Sequence, residues 1–394
     1  MSKDNVMTRK LQWGMIGGGP GAFIGEVHRK AARMDGQIEL VAGAFDINPD
    51  KSKQMGALQY IDPKRAYGSY REMIEKESAL PAGERVDFVS ICVPNNFHFP
   101  IAKAFLEAGF HVVCEKPMTM DVKEAKQLCA VVKKTGKVFA LTHNYTGYPM
   151  VKLARDLVKK GHLGKLLKIN VEYPQGWLLK ALEKTGNQQA SWRTDPKQAG
   201  AAGAIGDIGT HAENLAEYIT GLQMVEICAD LTSFVPGRKL DDDASVLVHW
   251  EKGVKGTLLC SQVSIGEENA LKIRVYGEKA MLEWRQEYPN DLVVNYNDKP
   301  AELWRRGNPY IGAISPAAVR GTRLPGGHPE AFIEAFGNIY ANATETMRCK
   351  IAGKKPSPLA LDYPDVYSGL RGMQFIEAVV KSGKAGAKWV KMEK

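Results

Sequence analysis

Apolar positions in the first third of the chain come as short unbroken runs. "LQWGMIG" (11–17), "IELVAGAF" (38–45), "VDFVSICVP" (86–94), "FHVVCE" (110–115) and "KVFALTHN" (137–144) have the pattern of strands buried on both faces. Between them, "AFIGEVHRKAARM" (22–34), "SYREMIEKES" (69–78), "FPIAKAFLEAG" (99–109) and "DVKEAKQLCAVVKKTG" (121–136) alternate at helical spacing. The last opens with Asp121 and Glu124 in capping-box spacing and closes with lysines and Gly136, as a helix dipole prefers. Strands and helices in alternation predict a parallel sheet covered on both sides.

After about residue 145 the period drops to two. "KLLKINVEY" (165–173), "VEICADLTSFV" (225–235), "ASVLVHW" (244–250), "VKGTLLCSQVS" (254–264), "ALKIRVYG" (270–277), "KAMLEWRQ" (279–286) and "DLVVNYN" (291–297) predict an antiparallel sheet with one buried face. "KQAGAAGAIGDIG" (197–209) is expected as a loop leading into a helix, and two more helices are expected near 328–344 and 362–381. The pattern divides an α/β chain into a dinucleotide-binding domain, 1–144, and a second α/β domain, 145–394, with the final helices able to pack back on the first.

On a parallel sheet, ligands bind outside the carboxyl ends of the strands. Gly17–Gly25, Asp46, Pro94, Asn95, His98, Glu115–Pro117 and His143–Tyr145 all fall at those ends. Glycines before a helix let a pyrophosphate approach the backbone and its free N–H groups. Gly17 and Gly19 supply the first pair. The third glycine is either replaced by Ala22 or is Gly25 after a three-residue insertion, and Gly25 is preferred. Asp46 closes the second strand, where a carboxylate can accept both ribose hydroxyls of NAD and would repel the extra phosphate of NADP. A tight turn and a cap of "INPD" are the competing structural roles.

"GAIGDIGTHAENLAEYITG" (203–221) predicts a helix with Asp207 and His211 four apart on one face of its first turn. The helix terminus and the carboxylate pull the imidazole in opposite directions, which suits a general base for an alcohol proton. A metal pair would need further ligands at metal spacing, and none is visible, so no metal is expected. A helix-capping Asp beside a surface His is the plain alternative.

Composition leaves this picture standing. The 394 residues are 44% apolar and 25% charged. The net charge of +9 is dispersed rather than gathered on one element, which speaks against a nucleic-acid partner. Six scattered cysteines without C-x-x-C fit reduced thiols in a cytoplasm. The opening residues hold no apolar core of signal-peptide length, and no segment nears the roughly 20 apolar residues of a membrane span.

The glycine-rich turn, Asp46, "VPNNFH" (93–98), "EKP" (115–117), "HNY" (143–145), "WRTDP" (192–196) and "GDIGTH" (206–211) occur in one order. Together they resemble the Gfo/Idh/MocA family of NAD(P)-dependent oxidoreductases, over nearly the whole chain. "RTDP" with "GAIGDIGTH" is most similar to members that oxidise a ring hydroxyl of a sugar or glycoside. The resemblance implies an N-terminal Rossmann domain binding NAD, and a C-terminal substrate-binding α/β domain whose large, mostly antiparallel open sheet forms a homodimer or homotetramer. It implies that Lys116 reaches the nicotinamide ribose and the substrate hydroxyl, that Asp207 helps hold substrate, and that His211 is the acid/base. The longer glycine loop departs from the family pattern at Pro20–Phe23.

Tyr145, Trp177, Arg193, Asp195 and His328 are candidates to line a polyol pocket, by planar stacking and charged hydrogen bonds. Core packing for Trp177 and a turn for His328 compete with that role. Two other functions are compatible with the chain: an NAD-dependent glycosidase of the same superfamily, and a non-catalytic nucleotide sensor.

Overall fold

The computed structural model of the chain describes residues 6–393; residues 1–5, where both the opening stretch and the first predicted domain begin, and Lys394 lie outside it. The chain forms two compact units.

The first unit holds residues 6–119, 123–144 and 336–370. Its elements are β1 (Leu11–Gly17), α1 (Phe23–Arg33), β2 (Ile38–Ala44), α2 (Pro49–Leu58), α3 (Tyr70–Ala79), β3 (Phe88–Cys92), α4 (His98–Glu107), β4 (His111–Cys114), α5 (Val122–Thr135) and β5 (Phe139–Leu141). The strands pair in parallel in the order β2-β1-β3-β4-β5. Every residue of β3, β4 and β5 is buried, as the unbroken apolar runs require. The order reverses between β1 and β3, and Gly17 pairs with Cys92 there, so both strands end at the switch point where such sheets take ligands. Helix α2 was not expected. Asn48 caps it by accepting from the Asp50 and Lys51 amides, and Pro49 starts it, so the turn-like "INPD" is a helix start rather than a loop.

The second unit holds α6 (Pro149–Lys159), β6 (Leu166–Pro174), α7 (Gln188–Arg193), α8 (Pro196–Ala199), α9 (Thr210–Thr220) and β7 (Met224–Thr232). It continues through β8 (Asp243–Trp250), β9 (Lys255–Ser261), β10 (Lys272–Gly277), β11 (Met281–Arg285), β12 (Asp291–Asn295), β13 (Glu302–Arg305) and α10 (Pro316–Arg320). The expected late helices are α11 (Phe332–Ala352) and α12 (Val366–Lys384), and β14 (Val390–Lys391) ends the chain. Residues 145–394 are therefore not one unit: Phe336–Leu370, most of α11 and the start of α12, belongs to the first.

Nine strands form the second sheet in the order β13-β12-β11-β10-β6-β9-β8-β7-β14. All pairs are antiparallel except β6 with β9. Alternation is clearest in β8, where Val246, Val248 and Trp250 are buried while Leu247 is 52% exposed. Helices α6 and α9 cover the buried side. Among the described residues, no helix is long and apolar enough to cross a membrane.

Candidate active site

In the first unit the glycine turn is built for close approach. Gly17 has φ of +78°, and a Cβ there would lie 2.3 Å from the Cys92 carbonyl oxygen. A Cβ on Gly25 would lie 2.4 Å from the Gly18 Cα, so α1 sits directly on the turn. Gly25 thus occupies the place of the close-packing third glycine, and Ala22 is only the residue before α1. A Cβ on Gly19 would come within 3.0 Å of Asp46 Oδ2, so the Asp46 carboxylate flanks the turn. Its Oδ1 accepts from the Asn48 amide at 2.9 Å, which makes it the turn cap as well. This cradle of bare backbone beside a carboxylate fits a dinucleotide.

Arg29, which the sequence pattern did not single out, donates to the Gly18 carbonyl at 2.7 Å from a buried position. Burial lowers its pKa from the usual arginine range. By holding that carbonyl inward it helps fix how the glycine turn presents its backbone.

Pro94 and Asn95 open the short turn after β3, and Asn95 is buried. His98 is fully buried, with Nδ1 2.8 Å from the Pro117 carbonyl and Nε2 2.9 Å from the Val93 carbonyl. It lies between the β3 and β4 turns, and a neutral imidazole there donates to one of the two carbonyls. Glu115 is also buried, with Oε1 shared between His28 at 2.8 Å and the Thr142 hydroxyl at 2.5 Å. Lys116 follows it, half-buried, before a cis bond to Pro117. His143 lies buried nearby; burial first, and then the Lys116 charge, push it down to about 3, so its imidazole is neutral.

In the second unit Asp207 lies not in the first turn of an α-helix but in a π-helical turn, Ile205–Gly209, that runs into α9. Half-buried Asp241 anchors its start by accepting from the Gly203 amide at 2.7 Å and the Ile205 amide at 2.8 Å. Such wide turns recur at functional sites. Asp207 Oδ2 accepts from Arg193 Nε at 3.1 Å and Gln262 Nε2 at 2.9 Å. Arg193 also stacks on Trp192, 4.2 Å from the ring centroid, and lies 5.9 Å from that of Trp177.

His211, in the first turn of α9, is buried and meets the Tyr145 ring edge to face at 4.8 Å. The Tyr145 and Tyr173 hydroxyls are bonded to each other, and Asn269 takes the Tyr173 proton at 2.6 Å. Burial pushes Tyr145 up to about 12, so it stays a neutral donor. Gln175 continues the array, donating to Asn269 at 2.8 Å and accepting from the Trp177 indole at 3.1 Å. Trp177 is 36% exposed, so it is not core.

Two of the candidate substrate residues take part in local turns. Asp195 caps α8, accepting from the Lys197 amide and from Gln198 at 3.0 Å each. His328 is exposed, and its carbonyl accepts from Arg306. It does not cap α11, whose first turn is closed by Glu334 accepting from the Ala331 amide at 2.8 Å.

Gln262, Tyr173, Asn269 and Gln175 were not expected. They come from strand ends far apart in sequence, and nothing in their local pattern marks them. Among the described residues no group of three or more His, Cys, Asp or Glu side chains is placed to hold a metal ion.

Comparison with known proteins bears on both units. The family described as oxidoreductase, NAD-binding Rossmann fold, matches residues 11–143, and the GFO/IDH/MocA C-terminal domain matches residues 151–283. An oxidoreductase of Bacillus subtilis is 32% identical across all of both chains. The levoglucosan dehydrogenase of Pseudarthrobacter phenanthrenivorans is 26% identical over 78% of this chain and 82% of its own. An inositol dehydrogenase homolog of Azotobacter vinelandii, solved with NADH and myo-inositol, superposes with a TM-score of 0.89. It is 33% identical, over 99% of this chain and all of its own.

Proposed function

Because the chain belongs to the Gfo/Idh/MocA family of NAD-binding oxidoreductases, we propose that it moves a hydride between nicotinamide and a ring secondary alcohol of a cyclic polyol, sugar or glycoside. The observation that carries this reading is the wall around His211. It combines aromatic faces (Tyr145, Trp177) with a chain of amide and hydroxyl groups (Tyr173, Asn269, Gln175) beside the Asp207–Arg193 pair. A polyhydroxylated ring presents flat C–H faces and a rim of hydroxyls, and such a wall is complementary to both. Levoglucosan and myo-inositol, named with two of the relatives, are rings of this kind.

In this reading Lys116 donates a hydrogen bond to the reacting hydroxyl and stabilises the alkoxide character that develops as its proton leaves. His211 takes that proton, and Asp207 orients the substrate with Arg193 and Gln262 behind it. NAD, when bound, supplies the acceptor for the hydride leaving the carbinol carbon, with Gly17, Gly19, Gly25 and Asp46 holding it. The C–H pair leaves, the O–H proton goes to His211, and a ketone remains. The chemistry requires Lys116 and His211 to reach one hydroxyl.

The test is NADH formation by the purified protein with NAD and a panel of myo-inositol, scyllo-inositol, glucose, levoglucosan and simple glucosides. Turnover with one group of cyclic polyols is expected. Binding of NAD without turnover on any member, together with cleavage of a glycoside, would replace this reading with that of an NAD-dependent glycosidase.

A further inference from the structure

Behind the Lys116 turn, the core of the first unit contains a row of polar groups that the reaction does not use directly. Trp13 Nε1 donates to Ser90 Oγ at 2.9 Å. Ser90 Oγ lies 2.7 Å from the Tyr340 hydroxyl, which lies 2.5 Å from His28 Nδ1. His28 Nε2 lies 2.8 Å from Glu115 Oε1. Trp13, Ser90 and His28 are fully buried, and Tyr340 is 1% exposed. The aromatic rings of Trp13, Phe88, Phe336 and Tyr340 pack around the row.

The chemistry of the two ends fixes the direction. An indole N–H can only donate, and a carboxylate can only accept. In the tautomer with its proton on Nε2, His28 donates to Glu115. Nδ1 then accepts from Tyr340, Tyr340 from Ser90, and Ser90 from Trp13. Every proton is used once and no group is left over, which a buried row of this length demands. A chain that ends on an indole cannot deliver a proton to water, so it is not a proton wire. It can only polarise toward the carboxylate.

We propose that this chain makes His28 and Tyr340 positioning residues for catalysis: they hold Glu115 as a buried carboxylate that fixes the turn carrying Lys116. The inference rests on the assignment of Lys116 to the reacting hydroxyl. Glu115 Oε2 completes the link, accepting from the Lys116 backbone amide at 3.3 Å.

The electrostatics of the pocket agree. Burial pushes the Glu115 carboxyl up, but the His28 hydrogen bond, then the Lys116 charge and the Thr142 hydrogen bond, more than offset it and leave it below the usual range. The titratable groups facing it are His28 on α1, Cys92 ending β3, His98 opening α4, Cys114 and Lys116 around the β4 end, His143 after β5 and Tyr340 on α11. Burial holds the Cys92 and Cys114 thiols and the Tyr340 phenol protonated, and holds His98 and His143 neutral. Among the side chains, His28 and Thr142 are therefore the donors that keep Glu115 charged.

The experiment compares His28→Gln with His28→Phe. Glutamine can still donate to Glu115 and accept from Tyr340, and phenylalanine can do neither. Both lack the imidazole, so their difference reports the hydrogen bonds alone. In His28→Phe the Glu115 carboxyl should rise above its unfolded value, so its stabilising effect is lost as pH rises through the carboxyl range. The denaturation midpoint of His28→Gln should therefore exceed that of His28→Phe increasingly from pH 4 to 7 on the order-of-magnitude carboxyl scale. In a Glu115→Gln background that pH-dependent gap should vanish. In the same proteins kcat should fall by about tenfold or more in His28→Phe, with its acid limb moved to higher pH, and NAD binding should stay within about twofold. Tyr340→Phe, a smaller change to packing, should lower kcat in the same direction by less. Equal midpoints and equal pH profiles for His28→Gln and His28→Phe would overturn the inference. Full activity in Lys116→Ala would instead overturn the assignment of Lys116 and leave the stability result to stand on its own.

Discussion

Glu115 in the first unit and Asp207 in the second are both carboxylates beside a residue of the proposed chemistry, and they are held by different means. Glu115 is held by buried side-chain donors, His28 and Thr142, from within a packed core. Asp207 is held by a half-buried cation, Arg193, and by one amide, Gln262. The first arrangement is rigid, shielded from salt and costly to disturb. The second can exchange partners with an arriving hydroxyl, because an ion pair near solvent is worth little by itself. The contrast suits a fixed lysine in the first unit and an adaptable substrate wall in the second.

The largest expected effects come from the two residues that the carboxylates serve. Lys116→Ala and His211→Ala should each lower kcat by about 10²–10⁴-fold, with NAD binding unchanged in His211→Ala, measured by steady-state kinetics and cofactor titration. A variant that keeps its rate would remove its side of the comparison.

Next in size is acid sensitivity. His111 and His143, both in the first unit, are pushed down to about 3 by burial, and the His111 Nδ1 accepts from the Val138 amide. Their folded values lie below the unfolded one, so the unfolded chain binds more protons between them. Stability is full above about pH 6.5 and falls as pH drops, by up to about 1.4 kcal/mol per pH unit for each histidine. Denaturant midpoints from pH 7 to 5 should show this slope, and His111→Asn should reduce it.

A smaller effect is expected at Gln262. Gln262→Leu should lower kcat by about two- to tenfold, the loss of one hydrogen bond to a carboxylate, with NAD binding intact. A loss as large as that of His211→Ala would mean that Asp207 is held as rigidly as Glu115.

The smallest effect concerns Glu213, buried on α9 with Oε2 lacking a hydrogen bond. Burial, then the Glu217 charge, raise its pKa well above the usual range, so its contribution is present at low pH and lost as pH rises above the unfolded carboxyl value. Glu213→Gln should raise the thermal midpoint more at pH 8 than at pH 5. The opposite order would place an ionised carboxylate there.

The parallel sheet was legible because β3, β4 and β5 are buried on both faces and mostly apolar, with Ser90 and His111 their only polar positions. The Asp207–His211 pair was legible from its spacing, though the π-turn that carries Asp207 was not, since five-residue turns leave no periodic mark. Helix α6 was not expected, although Arg155, Asp156 and Lys159 give it a polar side opposite its buried residues. The capping role of Asp195 was not legible, because a capping carboxylate and a ligand-binding one look alike in sequence. The row from Trp13 to Glu115 was invisible, because Ser90 lies 250 positions from Tyr340 and only the fold brings them within hydrogen-bond reach.

The most direct test of the central claim is transfer of label. A cyclic polyol that supports turnover, deuterated at its carbinol carbons, would be incubated with the protein and NAD, and the nicotinamide product analysed by mass spectrometry. Direct hydride transfer predicts one deuterium on the reduced nicotinamide ring and a slower rate than with unlabelled substrate. Consumption of the substrate with an unlabelled nicotinamide, or with deuterium lost to water, would contradict it.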